Sequence, residues 1–571
     1  MRGGYFLLES QAPECLFTPE DFSEEHRAIA KTTEEFWDQE VALHLDEIQH
    51  QQFDVLKRVL RKSADLGLTA AFLPEKYGGM EMDLVSLMVV SQGMARDGSY
   101  ATCHGAQVGI GTLPVLLFGT EEQKQKYLPR LASADLIAAY ALTEPHAGSD
   151  ALAARTRADL SADGTHYVLN GQKMWITNGG IADLYTVFAK VGGEKFTAFL
   201  VERQWPGISP GAEEKKMGLK GSSTTAVYFD NLKVPIENVL GEVGRGHIIA
   251  FNILNIGRLK LGVFAHGGAC DVLAASIRYS KDRKAFGKSI AEFGLIQQKL
   301  AEMAIRIYAN ESMVYRVVGD IQSQLGGFSW EAQDAPQRLL KAVEEFAVEC
   351  SFVKVFASEM LDFVVDEGVQ IHGGYGYHQD YSVERAFRDS RINRIFEGTN
   401  EINRLLATGM LLKRAQRGTL PLVDAVKKLQ AEILGGPAAD VDVILNTKKI
   451  GLFLLGVAYE KFRDKLEEQQ EVLAGITDVL MNAYALESVS LRAQKTGRCT
   501  AKEMASVFVS DAMDGIETSA RQALVACSEG DDLRMNLAVL RRFAKRDPVN
   551  TVGLRRGIAQ SLLETGRYTS G

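Results

Sequence analysis

Between Tyr140 and about Pro235 the hydrophobic rhythm of the chain turns from helical to strand-like, and from Gly246 it turns back. Short runs rich in β-branched and aromatic residues at 167–169, 173–177, 184–189, 196–201 and 225–229 are separated by turn residues, among them Asn170-Gly171 and Asn178-Gly179-Gly180. Asn-Gly pairs accept the positive φ of tight hairpins, so this interval predicts a compact β-domain of about 100 residues. Before it, Thr18-Pro19-Glu20-Asp21 combines a capping hydroxyl, a proline that misses no donor and acids toward the positive end of a helix. After it, Leu295, Ile296, Leu300, Met303 and Ile307 form a stripe at 3.6 residues per turn. Gly326-Gly327 and Pro336 interrupt this pattern, a long helix is predicted over 336–365, and Gly435-Gly436-Pro437 breaks a fourth block that starts after Arg417-Gly418. The expected organisation is an N-terminal helical domain at 1–138, a middle β-domain at 139–245, a helical bundle at 246–415 and an additional helical domain at 416–571. The fold class is mainly α with a central β-domain.

Composition excludes several functions. The 571 residues are 46% apolar and 24% charged, too apolar and too balanced for disorder as the main state. A net charge of −9 argues against nucleic-acid partners. Six dispersed cysteines without C-x-x-C, and ten scattered histidines without H-E-x-x-H, predict no metal site and suit a reducing compartment. The start, MRGGYFLLE, is too short and too quickly acidic for a signal peptide. The apolar run at 450–457, IGLFLLGV, falls far short of the ~20 residues of a spanning helix. The expected location is the cytoplasm, with peripheral contact at the inner face of a membrane as an extension of it.

Four motifs carry chemistry. YALTEPHAGSD at 140–150 makes a loop that presents hydroxyls and backbone amides to a polar ring or phosphate, or else a rigid turn. In KMWITNGG at 173–180, Trp175 and Thr177 lie two apart on a strand and so share a face. That pair suits a planar heteroaromatic ring, or else a core indole beside a surface threonine. DRKAFGKS at 282–289 has Asp282 where a phosphate loop demands glycine. Its cations fit either a pyrophosphate clamp or a helix C-terminus. Finally, QIHGGYGY at 370–377 precedes RDSRINRIFEGTNE at 388–401. Gly373 and Gly374 allow close backbone approach, and Glu397 follows the apolar pair Ile395-Phe396. Apolar walls raise a carboxyl pKa toward working pH, which suits a general base, although an acid before Gly398-Thr399 also reads as a helix-start residue. No G-x-G-x-x-G follows a strand.

Together these stretches, with ALTEPHAGSDALA at 141–153 and QIHGGYGYHQDYSVERAFRD at 370–389 the most specific, resemble the acyl-CoA dehydrogenase family over roughly 18–415. The C-terminal block and Asn252-Ile253-Leu254-Asn255-Ile256-Gly257-Arg258 resemble its very-long-chain branch. The resemblance implies an N-terminal helical domain, a middle β-barrel and a four-helix bundle, with FAD between the β-domain and the bundle. It implies that Tyr140, Leu142, Thr143, Gly148 and Ser149 line the flavin, Trp175 flanks it, Ile176 is a further cofactor-binding residue, and Thr177 meets N5. Arg283, Phe286, Gln370, Gly373 and Gly374 would reach it across a dimer interface, and Thr399 and Glu401 its adenosine or pyrophosphate part. Ser149, Arg258, Glu397 and Gly398 would contact acyl-CoA. Glu397 would take the α-proton while the β-hydrogen leaves as hydride to flavin N5, giving a trans-2-enoyl-CoA. The thioester oxygen would be held by the Glu397 amide and a ribityl hydroxyl.

The implied partners are fatty acyl-CoA of long or very long chain, an electron-transfer flavoprotein and a second copy of the chain. An acyl-CoA oxidase and a non-catalytic flavin-bearing assembly protein are the competing readings. In some branches the base comes from the position that is Gly257 here, which cannot serve, and Phe293-Gly294 stands where several relatives have a flavin-touching glutamine. Residues 531–571 carry eight cations and four anions, a net of +4. Arg541, Arg542, Lys545 and Arg546 therefore suggest an anionic lipid surface, at up to ~1 kcal/mol per cation, with 450–457 adding apolar burial, or else a solvated basic face on a dimer buttress.

Overall fold

The computed structural model describes residues 1–435 and 442–569. Helices occupy the chain to Ala132, strands follow from Ala138 to Leu240, and helices return from Gly246 to Thr565. Thr18 and Asp21 bond reciprocally in a one-turn 3-10 capping box, and the first α-helix, Glu24–Phe36, starts just beyond it under Ser23.

The strands are β1 (Ala138–Ala141), β2 (Arg157–Leu160), β3 (His166–Thr177), β4 (Leu184–Val191), β5 (Lys195–Glu202), β6 (Ile208–Glu213), β7 (Thr224–Pro235) and β8 (Val239–Leu240). They form one sheet in the order β6-β7-β3-β2-β4-β5-β8, with β1 parallel to β4. Asn170-Gly171 is not a hairpin turn: β3 runs straight through it, and the β3–β7 register slips between Leu169 and Gly171. A bulge and a hairpin both call for a residue free to leave the ordinary strand conformation, and here the partner strand selects the bulge. Asn178, at φ 62°, does turn the chain.

The 37-residue helix Gly246–Asp282 is the axis of the second helical region. It packs along Ala347–His372 and Gly294–Gln324. Leu300, Met303 and Ile307 are buried as the stripe predicts, but Leu295 at its head is exposed. The single helix expected over 336–365 is two, Ala335–Glu345 and Ala347–His372, broken at Phe346 without glycine or proline. In the last region Gly435 caps Leu422–Leu434, whereas Gly436 and Pro437 lie outside the described residues. Helices Val443–Phe462, Gln470–Thr496 and Cys499–Cys527 pack against one another, and Gln470–Thr496 also packs on Gly294–Gln324 and Asn400–Gln416.

Two expectations about membranes change. Ile450, Leu452, Leu454 and Leu455 are buried, so the 450–457 run fills the core and has no apolar face to offer lipid. Among the described residues three segments, Gly98–Phe118, Gly246–Asp282 and Gln470–Thr496, are long and apolar enough by length and composition to cross a membrane. Their apolar windows are 83%, 72% and 78% buried within the fold, as expected of helices packed nearly all round. Of the basic run, Arg546 pairs with Asp514, while Arg541 and Lys545 stay exposed.

Candidate active site

The 140–150 loop leaves the end of β1 and is fixed by a buried ion pair. Glu144 accepts from Lys173 Nζ at 2.7 Å and from the amides of Arg155 and Thr156 at 2.5 and 3.0 Å. Lys173 Nζ also donates to the Leu142 carbonyl at 3.1 Å. Burial, opposed by Glu144, pulls the Lys173 ammonium down to about 8. Neither side chain is legible as a partner in sequence, because 29 residues and a strand crossing separate them.

Along this frame Tyr140 is buried, with Oη 3.5 Å from the Ala250 carbonyl, Leu142 and Thr143 are half-buried, and Gly148 and Ser149 are exposed. The β3–β7 register slips again between Lys173 and Ile176, and Trp175 takes φ 57°. Trp175 is exposed and Thr177 half-buried, while Ile176 is buried.

Glu397 sits between the 3-10 turn Arg391–Arg394 and the helix Asn400–Gln416, in a turn at φ 57° followed by Gly398 at φ 81°. A non-glycine residue held there is strained, and its surroundings must over-determine it. Arg258 Nε donates to the Glu397 carbonyl at 3.2 Å and Nη1 to Asn255 Oδ1 at 2.8 Å. Asn403 Nδ2 donates to the carbonyls of Gly398 and Thr399 at 2.8 and 3.0 Å. Thr399 caps the following helix, and Glu401 lies exposed in its first turn. Arg258 is thus buried behind the turn, holding its backbone.

The carboxylate occupies the place of a missing side chain. A Cβ on Gly257 would come within 2.4 Å of Glu397 Oε2, which is sealed from solvent and has no hydrogen-bond partner among the described residues. Burial pushes the carboxyl up to about 7, against the pull of Arg258, Lys354 and Lys260. The sequence predicted this direction but misassigned part of its cause: Phe396 lines the cavity beside Glu397, whereas Ile395 is exposed and the helix carrying Gly257 supplies the opposite wall.

That cavity is lined by Thr177, Glu397, Ile110, Leu261, Phe264 and Leu361, and by the charged residues Arg96, Asp271 and Arg385. Gly257 and Asp271, 271 − 257 = 14 residues apart on one helix, mark a span of about 21 Å at 1.5 Å per residue.

Arg283, Phe286, Gln370, Gly373 and Gly374 do not line this cavity. Arg283 and Phe286 lie at the hairpin β9 (Lys284–Ala285) and β10 (Lys288–Ser289), and all five residues are exposed. Arg283 sits over the Tyr375 ring at 5.6 Å, which brings this hairpin to the turn holding Gly373 and Gly374. Phe293 packs edge-on against Phe286 at 6.0 Å.

Models of the acyl-CoA dehydrogenase N-terminal, middle and C-terminal domains match residues 23–135, 139–232 and 244–411, and a further C-terminal domain model of that family matches 446–542. The chain belongs to the acyl-CoA dehydrogenase family. It is 47% identical to a probable acyl-CoA dehydrogenase of Bacillus subtilis, over 100% of this chain and 98% of that one. The crystal structure of an acyl-CoA dehydrogenase complexed with FAD from Bacillus anthracis superimposes with a TM-score of 0.97 at 48% identity, covering 100% of both chains. The very long-chain specific acyl-CoA dehydrogenase of Bos taurus mitochondria is 42% identical over 62% of this chain and 53% of its own length. As expected for this dehydrogenase family, helices flank a central β-domain, and further helices follow the part shared with shorter members.

Proposed function

We propose that this acyl-CoA dehydrogenase uses FAD to oxidise long-chain fatty acyl-CoA to trans-2-enoyl-CoA, with Glu397 as the base that removes the α-proton. The observation that carries the reading is the Glu397 carboxylate lodged in the Gly257 notch at the head of a long apolar cavity, with one oxygen sealed and unpartnered. A carboxyl pushed up to about 7 is matched to proton transfer near neutral pH. Arg258 and Asn403 hold its turn, so little motion precedes the transfer.

Exposed surfaces outside the cavity lining suit the flavin. Trp175 and Phe286 leave 61% and 95% of their areas exposed, and a Cβ at Gly148, Gly373 or Gly374 would meet nothing within 4 Å. Large aromatic faces and open backbone of this kind suit a flat ring and its phosphates. In this reading Tyr140, Leu142, Thr143, Ser149, the backbone of Ile176 and Thr177 hold the group from one subunit. Arg283, Phe286 and Gln370 close it from a second copy, and Thr399 and Glu401 face its adenosine end. Bound FAD supplies the two-electron oxidant, and an electron-transfer flavoprotein is the proposed acceptor.

Chain length follows from the cavity. An extended alkyl chain advances roughly 1.3 Å per carbon, given ~1.5 Å bonds at tetrahedral angles, so about 21 Å accommodates about sixteen carbons. Anaerobic titration of the yellow protein with acyl-CoAs from four to about twenty carbons tests this: bleaching should be most efficient near sixteen. Glu397→Gln should bind flavin and thioester yet lose at least about 10³-fold in reduction rate. Bleaching best with four carbons, or full turnover by the variant, overturns the reading.

A further inference from the structure

Three cations act on the Glu397 carboxyl, and they differ in what else holds them. Arg258 is engaged by the Glu397 carbonyl and Asn255. Lys354 donates to Asn400 Oδ1 at 2.6 Å and also feels Glu401 and Glu359. Lys260, 3% exposed in the cavity wall, has one long hydrogen bond, to the Gly105 carbonyl at 3.4 Å, and its ammonium lies over the Phe264 ring, 5.6 Å from the centroid. No salt bridge forms at Lys260 among the described residues, and Glu397 is the one carboxylate whose charge reaches it. A buried ammonium is costly unless an opposite charge compensates it.

Geometry makes Glu397 that compensation. Residues three apart on a helix are neighbours at roughly 5–6 Å between Cβ atoms, and the Glu397 carboxylate stands where a Gly257 Cβ would be. Lys260, three residues along, therefore leaves the helix beside it. On the facing side the helix Gly98–Ala106 runs into a π-turn, Gln107–Gly111, which brings Gly109 against the ammonium. A Cβ there would lie 3.0 Å from Lys260 Nζ. The remaining titratable neighbours are neutral. His104 is buried with both ring nitrogens unpartnered, and burial together with the Lys260 charge holds it down to about 3. Tyr140 is a buried phenol raised far above its ordinary value by burial and by Glu397.

We propose that Lys260 is a positioning residue for the dehydrogenation: its ammonium keeps the Glu397 carboxyl ionised and ready to accept the α-proton, and Glu397 in turn keeps the lysine charged inside an apolar wall. The proposal rests on Glu397 being the base. Burial pulls Lys260 down to about 7 while Glu397 opposes it, and the same burial pushes Glu397 up, so each group limits the other's loss of charge. Lys260 gives up no proton in the reaction; its role is electrostatic.

The test uses FAD-loaded enzyme and two readouts. Flavin reduction by palmitoyl-CoA is followed against pH for wild type, Lys260→Met and Lys260→Arg. The Glu397 carboxyl is titrated without substrate by infrared difference spectroscopy, its band assigned by its loss in Glu397→Gln. In Lys260→Met the acidic limb should move up by about one pH unit, cutting the rate at pH 7 about fivefold while leaving it within about twofold at pH 9. The infrared titration should move by the same amount, and Lys260→Arg should leave both in place. A rate loss equal at all pH values with an unmoved infrared titration overturns the proposal and makes Lys260 a packing residue. If the methionine variant loses flavin, Lys260→Gln is read by the same criteria. Full turnover by Glu397→Gln would instead overturn the base itself, a separate outcome.

Discussion

Two regions of this molecule bury charge, and they do it in opposite ways. At the seam with the C-terminal helices, Arg492 donates to Glu311 and Glu20 at 2.8 Å each, His266 lies 3.3 Å from Glu311, and Tyr568 Oη donates to Glu311 at 2.8 Å. Nearby, Arg316 and Lys448 converge on Glu487. Each of these ionic groups has an opposite charge within bonding distance. Around Glu397 the reverse holds: one carboxylate oxygen has no hydrogen-bond partner, and Lys260 has no carboxylate in bonding distance among the described residues, only the Gly105 carbonyl at 3.4 Å and the Phe264 ring. Direct pairing of opposite charges compensates the ions of the seam, whereas incomplete pairing leaves the Glu397 carboxyl raised to about 7, where it can accept a proton near neutral pH.

The contrast can be broken from either side. Arg492→Met takes the guanidinium from buried Glu311 and half-buried Glu20 and should cost about 3–5 kcal/mol of stability, measured by denaturant unfolding, with turnover per folded enzyme unchanged. A matching fall in turnover would mean that the seam and the site are one network. Gly257→Ala should do the converse: its Cβ displaces the Glu397 carboxylate, and a shift of that kind should cut the flavin reduction rate about 100-fold with little change in melting temperature.

A subtler effect concerns pH. The folded-state value of Glu397 is raised above the ordinary one, so its ionisation opposes folding above the unfolded pKa, increasingly up to about pH 7. Glu397→Gln should therefore melt above wild type at pH 8 and match it near pH 4.5, and wild-type turnover should rise with pH through about 7. Equal melting at both pH values would show that the site carries no such cost. The smallest effect belongs to Tyr568→Phe, which removes one seam hydrogen bond and should cost about 1 kcal/mol in the same unfolding assay.

Much of this was legible in the sequence because the signals are local. The β-rich runs at 184–189 and 196–201 lie within β4 and β5, and the loop 140–150, the strand end at Trp175–Thr177 and the turn at Glu397 each stand in a contiguous motif. What escaped was set by tertiary contact. Asn170-Gly171 looks the same in a bulge and in a hairpin, and only pairing with β7 decides between them. Phe346 ends a helix without any breaker residue. Lys260 and Lys354 carry no motif, Lys173 opens one without showing its partner, and they matter because strands and helices far apart in sequence bring them to Glu144 and Glu397. The run at 450–457 was apolar enough for either lipid or core, and only the helices around it settle the choice.

The notch at Gly257 also makes two positions mutually exclusive tenants of one volume. A side chain on the long helix and a carboxylate from the turn cannot both be there, so an acid gained at one position requires vacating the other. The proton acceptor can in principle change its address on the backbone while its functional atoms stay where they are. Gly257→Glu combined with Glu397→Gly is the two-step move that such a layout permits, and either step alone should leave a crowded or an empty room.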